Sequence, residues 1–126
     1  QEDAKKKTPS LTYAFYITRY DFLRIAVAML EDWNKNTCEG QYLKSLWENR
    51  INKQQYFRND YDAFTNPKHY GGQFHMGISG KRDTPIFIMD GFGGQTININ
   101  FEDKKIISTL SVHRNYNWMK LVHEKL

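Results

Sequence analysis

Three glycines fall within four residues at Gly91, Gly93 and Gly94, in the middle of otherwise β-forming sequence. Upstream, Ile86, Phe87 and Ile88 make a short apolar run. Downstream, residues 96–101 alternate strictly, so Ile97, Ile99 and Phe101 share one face of a strand and Thr96, Asn98 and Asn100 the other. Glu102-Asp103-Lys104-Lys105 reads as a hairpin loop, and 106–112 as the next strand. Glycine inside such a sheet marks either a bulge or a place where a ligand or another backbone must come close to the main chain. The sequence leaves both readings open. What it does constrain is architecture, because strands joined by short turns are antiparallel neighbours.

The rest of the chain supplies helices to cover that sheet. Thr18-Arg19-Tyr20-Asp21 is close to a capping box, with Asp where Glu is preferred, and predicts a helix start at Thr18. Phe22, Ala26, Met29, Leu30 and Trp33 follow at helical spacing, and Leu23 and Val27 widen the stripe. A helix this apolar around its girth is expected to be buried on more than one side. Residues 41–52 read as a second amphipathic helix with Leu43, Leu46, Trp47 and Ile51 inward. Residues 11–17 are apolar and β-prone, 54–68 read as an aromatic-rich surface loop, and 70–78 as a strand. The last element, 115–126, is a helix capped by Asn115 with Trp118, Leu121 and Val122 on one face. The expected fold is α+β: an antiparallel sheet of about four strands (70–78, 84–90, 94–101, 105–112), two preceding helices, and a C-terminal helix packed on the sheet.

A chain of 126 residues fits one domain, with 1–10 a polar leader and 11–126 the folded part. The net charge of +4 comes from scattered basic residues, the only tight run being Lys5-Lys6-Lys7 in the leader. A nucleic-acid surface would gather its cations on one element beside aromatic platforms, so no nucleic-acid partner is expected. No apolar run reaches the length of a membrane span. Cys38 is the single cysteine, which rules out an intrachain disulfide, and nothing around it marks a nucleophile. His69, His75, His113 and His123 fall at no metal-ligand spacing, so neither metal nor cofactor is expected. Asp90, set in the glycine bend, is the carboxylate placed for acid–base work, with turn solvation as the plainer role. The chain begins without methionine, as a trimmed or processed product would.

Phe87-Ile88-Met89-Asp90-Gly91-Phe92-Gly93-Gly94-Gln95, an alternating strand, an acidic turn and an apolar strand closed by a helix together resemble the end of the serine β-lactamase-like hydrolases. That branch holds class C β-lactamases, D-alanyl-D-alanine carboxypeptidases, related esterases and 6-aminohexanoate-oligomer hydrolases. Residues 16–25, containing Thr18, Asp21, Leu23 and Arg24, look like the family's "Thr-x-x-Asp-Leu-x-Arg-Phe" helix, 40–52 like the next short helix, and Tyr70-Gly71-Gly72-Gln73-Phe74 like its "Tyr-Gly-x-x-Trp" strand. These similarities keep the family's order from about residue 11 to 126.

The resemblance implies a partial β-lactamase/transpeptidase-like fold and acyl-enzyme chemistry on a small ester, amide or peptide. Such chemistry needs an activated serine and backbone N–H groups aimed at the oxyanion. In this family a Ser-x-x-Lys places nucleophile and base one helical turn apart, and a Tyr-x-Asn assists proton transfer. Neither occurs: Ser10, Ser45, Ser79, Ser108 and Ser111 have no lysine three residues on. The third motif, Lys/His-x-Gly, falls on Met89-Asp90-Gly91. Gly91 matches; Met89 departs, which turns the expectation from β-lactamase toward esterase, amidase or peptidase. Phe92 would supply an oxyanion-hole N–H, and Met89, Asp90, Gly91 and Gly93 would contact substrate. The chain alone is thus expected to be catalytically incomplete, its nucleophile coming from an N-terminal part on the same precursor or a companion chain. Family members are often exported, which points to a periplasmic or secreted location. The alternative from the residues alone is a small non-catalytic binding or structural domain whose glycine bend is a bulge.

Overall fold

The structure is a computed structural model that describes residues 17–52, 67–91, 95–110, 116 and 118–126. The first helix among the described residues, α1 (Arg19–Lys35), starts where the capping pattern predicts: the Thr18 hydroxyl accepts from the Asp21 amide at 3.1 Å and donates to the Asp21 carboxylate at 2.9 Å. Asn36 ends the helix in the left-handed conformation (φ 54°), which asparagine tolerates better than most residues. Thr37 then caps α2 (Cys38–Glu48) by accepting from the Gly40 amide at 3.2 Å. The two helices therefore meet at a corner of only two residues.

Among the described residues six strands form one antiparallel sheet in which spatial order equals chain order: β1 (Ile51–Asn52), β2 (His69–Gly71), β3 (Phe74–Met76), β4 (Ile86–Gly91), β5 (Gln95–Asn100) and β6 (Lys105–Thr109). α3 (Trp118–Lys125) closes the chain. Four strands were expected, and the difference has two local causes. The strand expected over 70–78 is a hairpin, because Gly72 (φ 54°) and Gln73 (φ 68°) both take left-handed backbone and fold it in two. The second helix stops at Glu48 instead of 52. There Asn49 turns its side-chain amide onto the Ser45 carbonyl at 2.8 Å, and Ile51 pairs with Tyr70. Ile51, expected to point inward from a helix, is 57% exposed on a strand.

One face of the sheet carries Met76, Phe87, Ile97, Ile99 and Phe101, packed under α1 and α2 through Ala26 and Leu43. Aromatic rings form its centre: Trp33 stacks on Phe101 at 4.4 Å, and Phe87 meets Phe101 edge-on at 5.0 Å. Rings buried in such contacts are among the largest single contributors to a core, about 3–5 kcal/mol each when truncated to alanine. The other face carries Ile78, Ile86 and Ile88 under Val122 and Leu126, with Trp118 and Ile107 against them. Leu121, expected on the same helix face, is half-buried outside that cluster.

The alternation of 96–101 holds, but the polar side is not a solvent face. Thr96, Asn98 and Asn100 are all buried. They satisfy most of their polar atoms locally: Thr96 Oγ1 lies 2.7 Å from Thr109 Oγ1, and Asn98 Nδ2 donates to Thr96 Oγ1 (3.0 Å) and the Ile107 carbonyl (3.2 Å). The burial expected for α1 on more than one side is met against the sheet and α2 and goes no further. Only Ala26 is buried outright, whereas Leu23, Ile25 and Val27 remain 39%, 38% and 39% exposed. α1 leans on one sheet face and on α2, and its remaining girth turns to solvent. The expectations for 1–16, for most of the 54–68 loop, and for Asn115 lie outside the described residues.

Candidate functional site

The candidate residues sit at the end of β4. Its pairing with β5 runs its whole length, from Ile86↔Asn100 to Gly91↔Gln95. On the other side its ladder with β3 covers only Phe87 and Ile88, opposite Met76 and His75. Met89, Asp90 and Gly91 thus run past the end of that ladder. The reason is the tight turn at Gly72-Gln73, which ends β3's reach.

These three residues have different surroundings. Met89, opposite Ile97, is half-buried and packs with the aromatic cluster under the helices, so it serves the core. Asp90 is exposed and its carboxylate lies 3.3 Å from His75 Nε2. The Tyr70 ring meets the His75 imidazole edge-on with centroids 5.5 Å apart. The pair thus sets a carboxylate and an imidazole within hydrogen-bond reach of each other. Gly91 is exposed, and among the described residues the atoms nearest a Cβ built there belong to Gln95, at 3.5 Å or more, in ordinary contact. Its backbone has no positive φ. The described residues therefore leave room for a Cβ at 91. Phe92 and Gly93 lie outside the described residues.

His75 was missed as a partner of Asp90 in the sequence, where it reads as a lone strand histidine. Nothing local signals the pair, since it depends on the β3–β4 register. A second charged cluster was also invisible. Asp83 accepts from Arg50 Nη2 and faces His69 Nε2, both at 3.1 Å. The Arg50 guanidinium also stacks over the Trp47 ring at 3.8 Å and donates to the Trp47 carbonyl. Partial burial pushes the Asp83 carboxyl up, but the hydrogen bonds and charges of His69 and Arg50 pull it further the other way. It sits below its ordinary range. This knot joins the end of α2, β2 and the Gly80–Asp83 turn, and its chemistry is structural.

Among the described residues no three His, Cys, Asp or Glu side chains gather into a metal site. No described helix is long and apolar enough to cross a membrane. No family model, curated protein or solved structure matches this chain. The site therefore stands on its own geometry: an exposed strand end, with a carboxylate–imidazole pair beside it and small backbone at its tip.

Proposed function

We propose that the chain is the C-terminal portion of a β-lactamase-like serine hydrolase, an esterase, amidase or peptidase working through an acyl-enzyme. In this reading the sheet is part of a β-lactamase/transpeptidase-like fold. The end of β4 is one wall of the active site, and the Phe92 N–H is a donor to the oxyanion. A complementary N-terminal portion supplies the nucleophile, its lysine and the tyrosine. The observation that carries the reading is that Met89–Gly91 extend past the β3 ladder. In this reading a substrate lies alongside β4 at that end. Gly91 adds a surface with no side chain, and the His75–Asp90 pair sets a charged group beside it.

A second reading is a non-catalytic domain with a structural glycine bend, and the surroundings of Gly91 bear on the choice. Gly91 has space for a Cβ, so its glycine is not explained by this chain's own packing. A substrate explains it under the first reading; under the second nothing needs to. The two separate in the longer protein that the first reading requires, assayed on a chromogenic ester. Gly91→Val, with folding checked by circular dichroism, is expected to lower turnover by ~10²–10³, the loss seen when one oxyanion donor is displaced. Phe92→Leu keeps the N–H and is expected to lose far less. Near-wild-type turnover in a folded Gly91→Val protein removes β4 from the active site.

A further inference from the structure

Asp-Gly occurs once in the sequence, at Asp90-Gly91. An aspartyl side chain followed by glycine can close on the main chain. The glycine nitrogen attacks the aspartyl Cγ and forms a five-membered ring, a case in which holding the reacting groups on one short tether replaces a second reactant. A side chain on the following residue crowds that ring, and glycine has none. The other described aspartates lack this combination. Asp21 and Asp32 lie in α1 before Phe22 and Trp33, where helical backbone fixes the next nitrogen; the Phe22 amide donates to the Thr18 carbonyl at 2.9 Å. Asp83 is held by Arg50 and His69 and precedes the buried Thr84. Asp103 accepts from Asn100 Nδ2 at 3.1 Å and precedes Lys104.

The fold sets Asp90-Gly91 where the reaction is restrained but not blocked. The Asp90 side chain is 46% exposed and Gly91 is exposed, so water reaches both. Extended backbone turns the Gly91 nitrogen away from Asp90 Cγ, and ring closure therefore needs Gly91 to leave its place opposite Gln95. That pair is the last of the β4–β5 ladder among the described residues, and a terminal pair opens at far smaller cost than those behind it. We propose that Asp90-Gly91 is a self-modification site, which passes through a succinimide to isoaspartate and so withdraws the carboxylate from His75. The atoms balance within the chain and water. The N–Cγ bond forms and the Cγ–O bond breaks, the oxygen leaving as water with the amide proton and the carboxyl proton. Water then opens the ring on either side of the nitrogen. Opening at Cγ restores aspartate, whereas opening at the Asp90 main-chain carbonyl leaves isoaspartate. In isoaspartate the side-chain carbons have joined the main chain and the carboxylate sits directly on Cα. The carboxylate now 3.3 Å from His75 Nε2 is lost from that position, and β4 gains a methylene immediately before Gly91. The inference rests on this dipeptide and its place in the ladder, and holds whether or not the chain belongs to a hydrolase.

The full chain is kept in warm neutral buffer made with water enriched in heavy oxygen, then digested and read by mass spectrometry. The peptide acetyl-Phe-Ile-Met-Asp-Gly-Phe-Gly-amide is the unstructured reference. One heavy oxygen is expected at Asp90 for each passage through the ring, with an isoaspartyl peptide separating by chromatography, more slowly than in the reference because the last pair must open first. Asp21, Asp32, Asp83 and Asp103 are expected to stay unlabelled. Gly91→Val, which crowds the ring, and Asp90→Glu, whose ring would have six members, are each expected to lose the labelling at position 90. A second set of His75 imidazole NMR signals is expected to grow in step with the isoaspartyl peptide. Labelling of the reference but not of Asp90 in the folded chain overturns the proposal, as does labelling of the other four aspartates at the Asp90 rate. So do undiminished labelling in both variants, and His75 signals that stay unchanged while isoaspartate accumulates.

Discussion

At Gly40 a side chain has nowhere to go, because a Cβ would lie 1.9 Å from the Asp32 carbonyl oxygen and 2.5 Å from its carbon. Both are backbone atoms of the last turns of α1, and that oxygen also accepts the Thr37 amide at 3.2 Å. The two-residue corner between the helices holds only while this approach is possible. Gly40→Ala is therefore expected to destabilise the chain by about 1–3 kcal/mol or more, since the neighbour that must move is main chain. Urea unfolding monitored by tryptophan fluorescence checks this. Gly91→Ala, with ordinary contacts around the new methyl, is the control expected to leave the midpoint nearly unchanged. Neither difference can be read from a glycine in a sequence; each depends on what the fold brings opposite.

Among the elements, α1 has a start that rests on a single side chain. The Thr18 hydroxyl both accepts from the Asp21 amide and donates to the Asp21 carboxylate. Thr18→Ala removes the cap and is expected to cost about 1 kcal/mol, visible as a lowered thermal midpoint with the same folded spectrum. This boundary was legible because capping is local, as was the alternation of 96–101, which correctly sorts Ile97, Ile99 and Phe101 onto one face. What the sequence hid was non-local. Ile51 is helical by its spacing, yet becomes a strand because Tyr70 is there to pair with it. The strand at 70–78 reads as continuous unless Gly72 and Gln73 are both known to be left-handed. At the candidate site, the glycines and Asp90 stand out in sequence, whereas His75 joins them only through register.

On the scale of the whole molecule, the Asp83 cluster ties three separated segments together and gives the fold a direction of acid sensitivity. The folded carboxyl titrates below its ordinary value because His69 and Arg50 outweigh the cost of burial. Such a group contributes stability above its unfolded value of about 3.9, and that contribution is lost as pH falls through the lower folded value. Asp83→Asn is thus expected to be less stable than the parent at neutral pH, with the gap closing as pH drops below roughly 4. Urea midpoints measured across that range test the sign; a gap that widens in acid contradicts it. The order of the six strands has a different kind of consequence. Because every described strand pairs with its neighbour in the chain, the sheet can assemble one pair at a time, with short connections at 72–73 and 101–104 and longer ones at 77–85 and 53–68. The contacts that lock the helices on, such as Trp33 against Phe101, span about half of the chain. Physical reasoning therefore puts the search for the native state in two stages of unequal difficulty. Zipping the meander is fast and forgiving of order, and the slow step is bringing the aromatic underside of α1 onto a sheet already formed.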